Sequence, residues 1–378
     1  MYKMKKTVHV LRKVLLEFAV AFILLALSTA ALFAYLTATE YKPGKVEKPE
    51  IIKTSNGSTN EKASVSEKIR FKELKKGREV SVLSWNIGYG ALGDDADFFL
   101  DGGKEVRASS QERVKENLKN IVKNINKINA DINMFQEVDV NSRRSYGINQ
   151  SRELFSNAGK AEGSFATNYK VPFIPYPLPP IGKVEAGIQI QTKYHIAGAF
   201  RNQLPVPFGW PERLGNLKRC LLINKIPLKG GKKELVIVNL HLEAYDDGEG
   251  KQAQTDELFK VLEDEKKKGS YVIAGGDFNQ TFSSANMKRY NIKKGMWKPG
   301  IIDTNKYKKD WQFVMDDKIP SCRSLDKPLK NNKSKQFQYY IIDGYILSKN
   351  VKLKSCKNIN LEFKNADHNP VLLKVILQ

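Results

Sequence analysis

The chain falls into three regimes of apolar and polar positions. Residues 18–36 form an uncharged, largely apolar run of 19 residues. A helix over such a run is long enough to cross a bilayer core of about 30 Å. Residues 40–79 show no apolar periodicity. They mix Lys, Glu, Ser and Asn with Pro43, Gly44, Pro49 and Gly57, and read as a flexible spacer with a short helical turn near 68–76. From residue 80 short apolar runs predict strands at 80–86 (VSVLSWN), 131–138 (DINMFQEV), 186–191, 219–226, 234–242, 271–276, 340–347 and 371–377. Helical spacing of Val114, Leu118, Ile121, Val122, Ile125 and Ile128 predicts a helix over 111–129. Leu258, Val261 and Leu262 do the same for 252–268. Several strands adjoin without a helix between them, which points to a layered α/β domain of mixed sheets. Segments 147–182 and 283–329 are weakly patterned and read as long loops, with 171–180 Pro-rich.

Charge gives the apolar run an orientation. Lys3, Lys5, Lys6, Arg12 and Lys13 precede it and Glu17 lies at its edge, so the N-terminus belongs on the cytoplasmic side. The alternative is a cleaved signal peptide with a small-residue site at Thr29-Ala30-Ala31. Either reading puts the main domain outside the cytoplasm, as a single-pass membrane protein or a secreted one. The net charge is +22, and residues 1–79 hold 16 Lys/Arg against 8 Asp/Glu, so most of the basic excess belongs to the domain. Such a field attracts polyanions, although a Lys-rich composition also produces solvated basic faces. Cys220, Cys322 and Cys356 cannot all pair within one chain, and no Cys/His zinc spacing occurs.

Candidate chemistry sits where apolar runs stop. Asn86 ends VSVLSWN, Glu137 ends INMFQE and His241 ends LVIVNLH. Asp277 and Asn279 end YVIAGGDFN. Asp343 interrupts YYIIDGYIL, and Asp367 and His368 precede NPVLLKVIL. Any one of these reads equally as a turn former or a buried structural group. Together they gather acids, amides and two histidines at strand ends, which collect in one crevice of an α/β fold.

SWNIG, FQEVD, VNLHLEA, AGGDFNQ, IIDGYILS and ADHNPV resemble, in order, motifs of the endonuclease/exonuclease/phosphatase superfamily, with its DNase-I-like fold. The resemblance implies a four-layer α/β/β/α sandwich of two mixed β-sheets, preceded here by a single N-terminal transmembrane helix. The expected organisation is a basic cytoplasmic N-terminus (1–13), a transmembrane anchor or uncleaved signal (14–36), a flexible polar linker (37–79) and the catalytic domain (80–378). The resemblance further implies Mg²⁺, or Mn²⁺, held by Asn86, Glu137 and Asp367. Asp277 resembles the group that orients or deprotonates water, Asn279 a water or phosphate ligand, and His368 the catalytic histidine oriented by Asp343. His241 matches a second histidine whose usual acidic partner would fall at Leu217-Lys218-Arg219-Cys220, where no acid stands. Glu185 or Glu212 substitutes, or His241 only binds phosphate. Arg143, Arg144 and Arg201 are candidate phosphate contacts, and Tyr146, Phe208 and Trp210 could stack bases or pack loops.

The function expected is an extracytoplasmic, Mg-dependent phosphodiesterase or nuclease. The first alternative is phospholipase C/sphingomyelinase-like or inositol-phosphate phosphatase activity on membrane headgroups, which VNLHLEA favours. A second is a non-catalytic polyanion-binding module. The expected partners are accordingly a phosphate ester (nucleic acid, phospholipid or inositol phosphate) and the membrane through the N-terminal helix. No protein partner is inferred and a monomer is expected.

Overall fold

The computed structural model describes residues 2–53, 71–246, 248–330 and 337–378. One helix, α1 (Tyr2–Ala38), opens the chain. It extends beyond the expected 14–36 at its N-terminal end, since Lys and Arg are good helix formers and need not end a helix. Within it Thr7–Ala38 is long and apolar enough to cross a membrane, on length and composition alone.

Two seven-stranded sheets follow. In chain order their strands are β1 (Val46–Glu47), β2 (Ile51–Lys53), β3 (Glu79–Asn86), β4 (Ile132–Asp139), β5 (Glu162–Ile174), β6 (Gly182–Thr192), β7 (Gly198–Gln203), β8 (Cys220–Pro227), β9 (Glu234–His241) and β10 (Tyr271–Asp277). Then come β11 (Trp311–Val314), β12 (Asp343–Ser348), β13 (Val351–Asn358) and β14 (Val371–Leu377). One sheet runs β1-β7-β8-β9-β10-β12-β11 and the other β13-β14-β3-β4-β6-β5-β2. Helices α2 (Gln111–Ile128) and α3 (Gln150–Asn157) accompany the second sheet, and α4 (Glu249–Lys267) the first. The α/β sandwich expected from the motifs is the architecture found.

Side-chain alternation explains the layers. Along β3, Val80 and Val82 enter the core between the sheets, while Leu83 and Trp85 face outward under α2. Along β9, Leu235 and Ile237 face inward, while Val236, Val238 and Leu240 pack under α4. Successive strand residues point to opposite faces, so each strand buried on both sides reads as a continuous apolar run. Helix α2 begins where the Ser110 hydroxyl accepts the Arg113 N–H at 3.1 Å, and stops at Asn129 with φ 51°. The three cysteines are free thiols.

Three expectations are corrected. The linker expected over 37–79 is not free throughout: β1 pairs with β7, β2 with β5, and Leu74 is buried in the inter-sheet core. Lys72 Nζ also meets Asp131 at 2.7 Å. Short edge strands carry too few residues to show periodicity, so composition alone reads as spacer. The helical turn expected near 68–76 lies partly outside the described residues, and 71–75 are irregular. Segment 147–182 is not a long loop, because it holds α3 and the 13-residue β5. Pro172 in β5 falls at a shift of register against β6, where a missing N–H breaks no ladder bond. In 283–329, β11 adds the edge of the first sheet.

Candidate active site

Inward-facing positions that are apolar along the strands turn polar at one end of the sandwich. Ser84 and Asn86 continue the inner face of β3, and Asn239 and His241 that of β9. In the first sheet Asp277 lies opposite His241 on one side and Asp343 on the other. Asp343 starts an antiparallel strand, so its N-terminal end reaches the same edge as the C-terminal ends of β9 and β10. In the second sheet β3 and β4 run parallel, and β14 antiparallel to them. Asp367 and His368, just before β14, therefore arrive beside Asn86 and Glu137. Below the site Asn239 bridges the sheets, accepting from Gln136 Nε2 at 2.7 Å and donating to the carbonyls of Phe135 and Gln189.

Two backbone features aim the groups. Glu137 has φ 53° at a bulge between Phe135 and Val138, which turns its side chain into the crevice. Asn279 has φ 49°; its N–H donates to Asp277 Oδ1 at 2.8 Å and its Nδ2 to the Leu242 carbonyl at 2.8 Å. Gly276 has φ 144°, and a Cβ there would meet the Leu240 carbonyl oxygen at 2.0 Å, so the second glycine of GGDFN is obligatory.

Asp277 Oδ2 is the hub. Asn86 Nδ2 donates to it at 3.0 Å, and Nε2 of His241 and of His368 stand 3.6 and 3.7 Å away. Asn86 Nδ2 also meets Glu137 Oε1 at 3.1 Å. His368 Nδ1 pairs with Asp343 Oδ2 at 2.8 Å. Trp85 Nε1 donates to the His368 carbonyl, while the Ser321 hydroxyl accepts the Ile342 and Asp343 N–H groups. The histidine and its carboxylate are thus both fixed from behind.

Burial works to lower the His368 pKa, but Asp343, with Cys322, Asp367 and Asp277 adding to it, outweighs burial, and the net shift is well upward. His241 moves the other way. Burial, then Arg219, then His368 push it well below its usual value, and its Nδ1 has no partner among the described residues. Asp277 is raised by burial and by Asp343, and Asp367 by burial, with Glu137 adding to it.

The donor set suits a hard cation. Asp367 Oδ1 is buried without a hydrogen-bond partner among the described residues, and Asp367 is raised partly by the neighbouring Glu137, so two acids converge where one oxygen suits a positive group. Gly88, with φ 51°, makes the room, since a Cβ there would meet Asp367 Oδ1 at 2.7 Å. Two other clusters bring ligand atoms within 4.8 Å: Asp277, Asp343 and His368, and Cys322, Asp367 and His368. The first spends His368 Nδ1 on Asp343, and the second contains a thiol that burial lifts to about 12, which is not a thiolate.

A crevice of about 190 Å³ opens over this floor. Glu137, His241, Asp277, Asn279, Asp367 and His368 line it, while Asn86 and Asp343 act from behind. Of the three arginines singled out from the sequence, Arg144 lines the crevice, stacked 3.8 Å over Tyr89 and paired with Asp139 at 2.8 Å. Arg143 is exposed and outside the lining. Arg201 is a correction: it is 2% exposed and bonded to the Thr167 and Lys218 carbonyls, a structural strut. Tyr146 donates to the Ala108 carbonyl, and Trp210 packs near α1 rather than in the crevice.

The missing acid beside His241 is also resolved. Glu185 pairs with Lys170 at 2.8 Å, and neither it nor Glu212 lines the crevice. Arg219 stands there instead. Its Nε meets Glu243 Oε2 at 3.0 Å and its Nη1 the His241 carbonyl at 3.2 Å. Sequence reading missed Arg219 and Glu243 as site residues, although LHLEA carried the signal: an acid two residues beyond a strand-end histidine.

A family model described as the Endonuclease/Exonuclease/phosphatase family matches residues 83–333. No curated protein matches the chain. Among solved structures, an endonuclease/exonuclease/phosphatase from Beutenbergia cavernae is similar at TM-score 0.54 and 16% identity, over 79% of this chain and 72% of that one. The human nocturnin catalytic domain with bound sulfate gives 0.48 and 16%, over 82% and 96%. Caenorhabditis elegans TDP2 gives 0.47 and 16%, over 81% and 77%.

Proposed function

The chain belongs to the endonuclease/exonuclease/phosphatase family and is a hydrolase of phosphate esters; on that premise we propose that it is a Mg²⁺-dependent phosphodiesterase, anchored by α1 with its catalytic domain outside the cytoplasm. The observation that carries the metal reading is the partnerless, buried Asp367 Oδ1 beside Glu137. Glu137 and Asp367 would hold the ion, and hard oxygen donors favour Mg²⁺ or Mn²⁺. Asn86, expected as a third ligand, here donates Nδ2 to Glu137 and accepts the Gly88 N–H on Oδ1, and so positions Glu137. When bound, Mg²⁺ supplies positive charge that offsets charge developing on the phosphoryl oxygens.

The remaining groups divide the work. Asp277, its Oδ1 held by the Asn279 N–H, presents Oδ2 to orient the attacking water and accept its proton. Asn279 spends its Nδ2 on Leu242, leaving its amide oxygen to accept a hydrogen bond from the water. His368, kept charged by Asp343, donates from Nε2 to a phosphoryl oxygen or to the leaving group. His241 stays neutral and offers one hydrogen bond, while Arg219 supplies the positive charge on that side.

The basic flank of α1 and its apolar length support the anchor and the outward orientation. A substrate panel tests the proposal: bis-p-nitrophenyl phosphate, p-nitrophenyl phosphate, DNA and a lipid headgroup diester, each with Mg²⁺, Mn²⁺ and EDTA. Diester hydrolysis that EDTA abolishes and Mg²⁺ restores is expected. Hydrolysis of the monoester alone, or hydrolysis indifferent to EDTA, would overturn it.

A further inference from the structure

We propose that the catalytic crevice opens toward the bilayer surface and takes its phosphodiester from a lipid headgroup; this rests on the phosphoesterase reading and on α1 as a membrane anchor. The anchor is docked on the domain rather than tethered to it. Leu36 is buried, with Leu32 and Phe33 half-buried, against Tyr169, Val171 and Ile174 of β5 and Leu214. The Thr37 hydroxyl accepts from Trp210 Nε1 at 3.2 Å, and Glu40 pairs with Lys218 and Arg213 at 3.1 and 3.2 Å. Strands β1 and β2 then extend one sheet each. A helix held in this way gives the domain one orientation relative to the membrane.

The dock and the crevice share a wall. Tyr169 packs on the anchor's cluster and also lines the crevice. Asn168, Asn216 and Leu217 line the crevice while their chain neighbours Val171, Leu214 and Lys218 hold α1. Helix length places that wall. The uncharged run 18–36 spans about 27 Å, close to a hydrocarbon core of about 30 Å, and its last turns are the docked ones. The docked turns thus fall at the headgroup level.

The surface beside this wall carries apolar side chains. Leu100 and Tyr245 line the crevice and are still 53% and 49% exposed, so they form its mouth. Phe99 stacks edge-on with Tyr176 at 5.9 Å, linking the mouth to the β5–β6 connection, where Tyr176 is 68% and Leu178 89% exposed. Trp210, against Phe33 of the anchor, is exposed as well. Single exposed apolar residues are ordinary on a soluble surface. Here they continue from a membrane-spanning helix and include Trp and Tyr, the residues favoured at the headgroup level. Inside, an acidic floor meets walls of Phe98, Val106, Trp297 and Tyr340. A space of about 190 Å³ suits a headgroup and its phosphate, leaving the acyl chains in the bilayer.

The test uses the full chain reconstituted into vesicles of phosphatidylcholine, phosphatidylglycerol and phosphatidylinositol. Release of water-soluble headgroup is measured beside hydrolysis of bis-p-nitrophenyl phosphate and of added DNA. Leu178→Glu is expected to lower headgroup release at least tenfold and leave the soluble diester rate unchanged. Hydrolysis of DNA or the soluble diester without headgroup release would overturn the proposal, as would equal loss on both by Leu178→Glu. Hydrolysis of nothing would overturn the phosphoesterase reading instead. The orientation is then still decided by a fluorophore on Leu178→Cys, which brominated lipids should quench. An unquenched, water-exposed label contradicts a membrane-facing mouth whatever the activity.

Discussion

The two sides of the crevice place a histidine at nearly the same distance from Asp277 Oδ2, 3.6 Å for His241 and 3.7 Å for His368, yet push their pKa values in opposite directions. His368 has a carboxylate behind Nδ1 and is pushed upward. His241 has no hydrogen-bond partner on Nδ1 among the described residues and a guanidinium beside its backbone, and is pushed downward. Both are buried, so burial does not separate them. The partner behind the ring does. Position comes from the strand ends, and charge comes from the group each ring meets: Asp343 at the start of β12 for His368, and Arg219 just before β8 for His241.

That comparison can be broken from the His368 side first. His368→Ala should lower kcat on a soluble diester by roughly 10³-fold, within the range of a lost general acid–base group. Asp343→Asn keeps the shape but withdraws the charge that sustains the imidazolium, and about a hundredfold loss in kcat is expected. A loss smaller than that of His241→Ala would reverse the assignment of the two sides.

The His241 side should yield less. Arg219→Gln removes the positive charge while leaving the metal ligands untouched, and a tenfold to hundredfold fall in kcat/KM is expected. If Arg219 only props Glu243, with its bonds to the Ala244 and Tyr245 N–H groups, the thermal midpoint will drop and kinetics at low temperature will not.

The smallest effect belongs to the mouth. Burial lifts Asp101 to about 6, although the Tyr245 hydroxyl bonded to it at 3.1 Å pulls it down. A carboxyl raised in the folded state carries no penalty below its ordinary value near 4 and a full one above 6. Asp101→Asn should therefore raise the melting temperature by a few degrees at pH 8 and leave it unchanged at pH 4. Above pH 6 it should also lower KM for an anionic diester about two- to fivefold by removing a negative charge from the mouth. Equal effects at both pH values would show that Asp101 does not titrate there.

The polar strand ends were legible in the sequence because period-two alternation carries an apolar inner face straight into them. Asn86, His241, Asp277 and Asp343 stand where that arithmetic puts them. What alternation cannot show is which loop lies against them. Arg201, read as a phosphate contact, is spent on backbone carbonyls, and Arg219, read only as a missing acid, lines the crevice. The edge strands β1 and β2 were illegible because two or three residues are too few to show alternation and are ordered by the sheets they join.

The central claim is that Glu137 and Asp367 hold a cation that this site needs. Hydrolysis of bis-p-nitrophenyl phosphate by the full chain and by Glu137→Ala, each titrated with Mg²⁺ after EDTA, tests it most directly, with Mg²⁺ binding followed by calorimetry. The account predicts Mg²⁺ binding and Mg²⁺-restored activity in the native chain, and loss of both in Glu137→Ala. Glu137→Ala that still binds Mg²⁺ with native affinity and hydrolyses the diester at the native rate would contradict it.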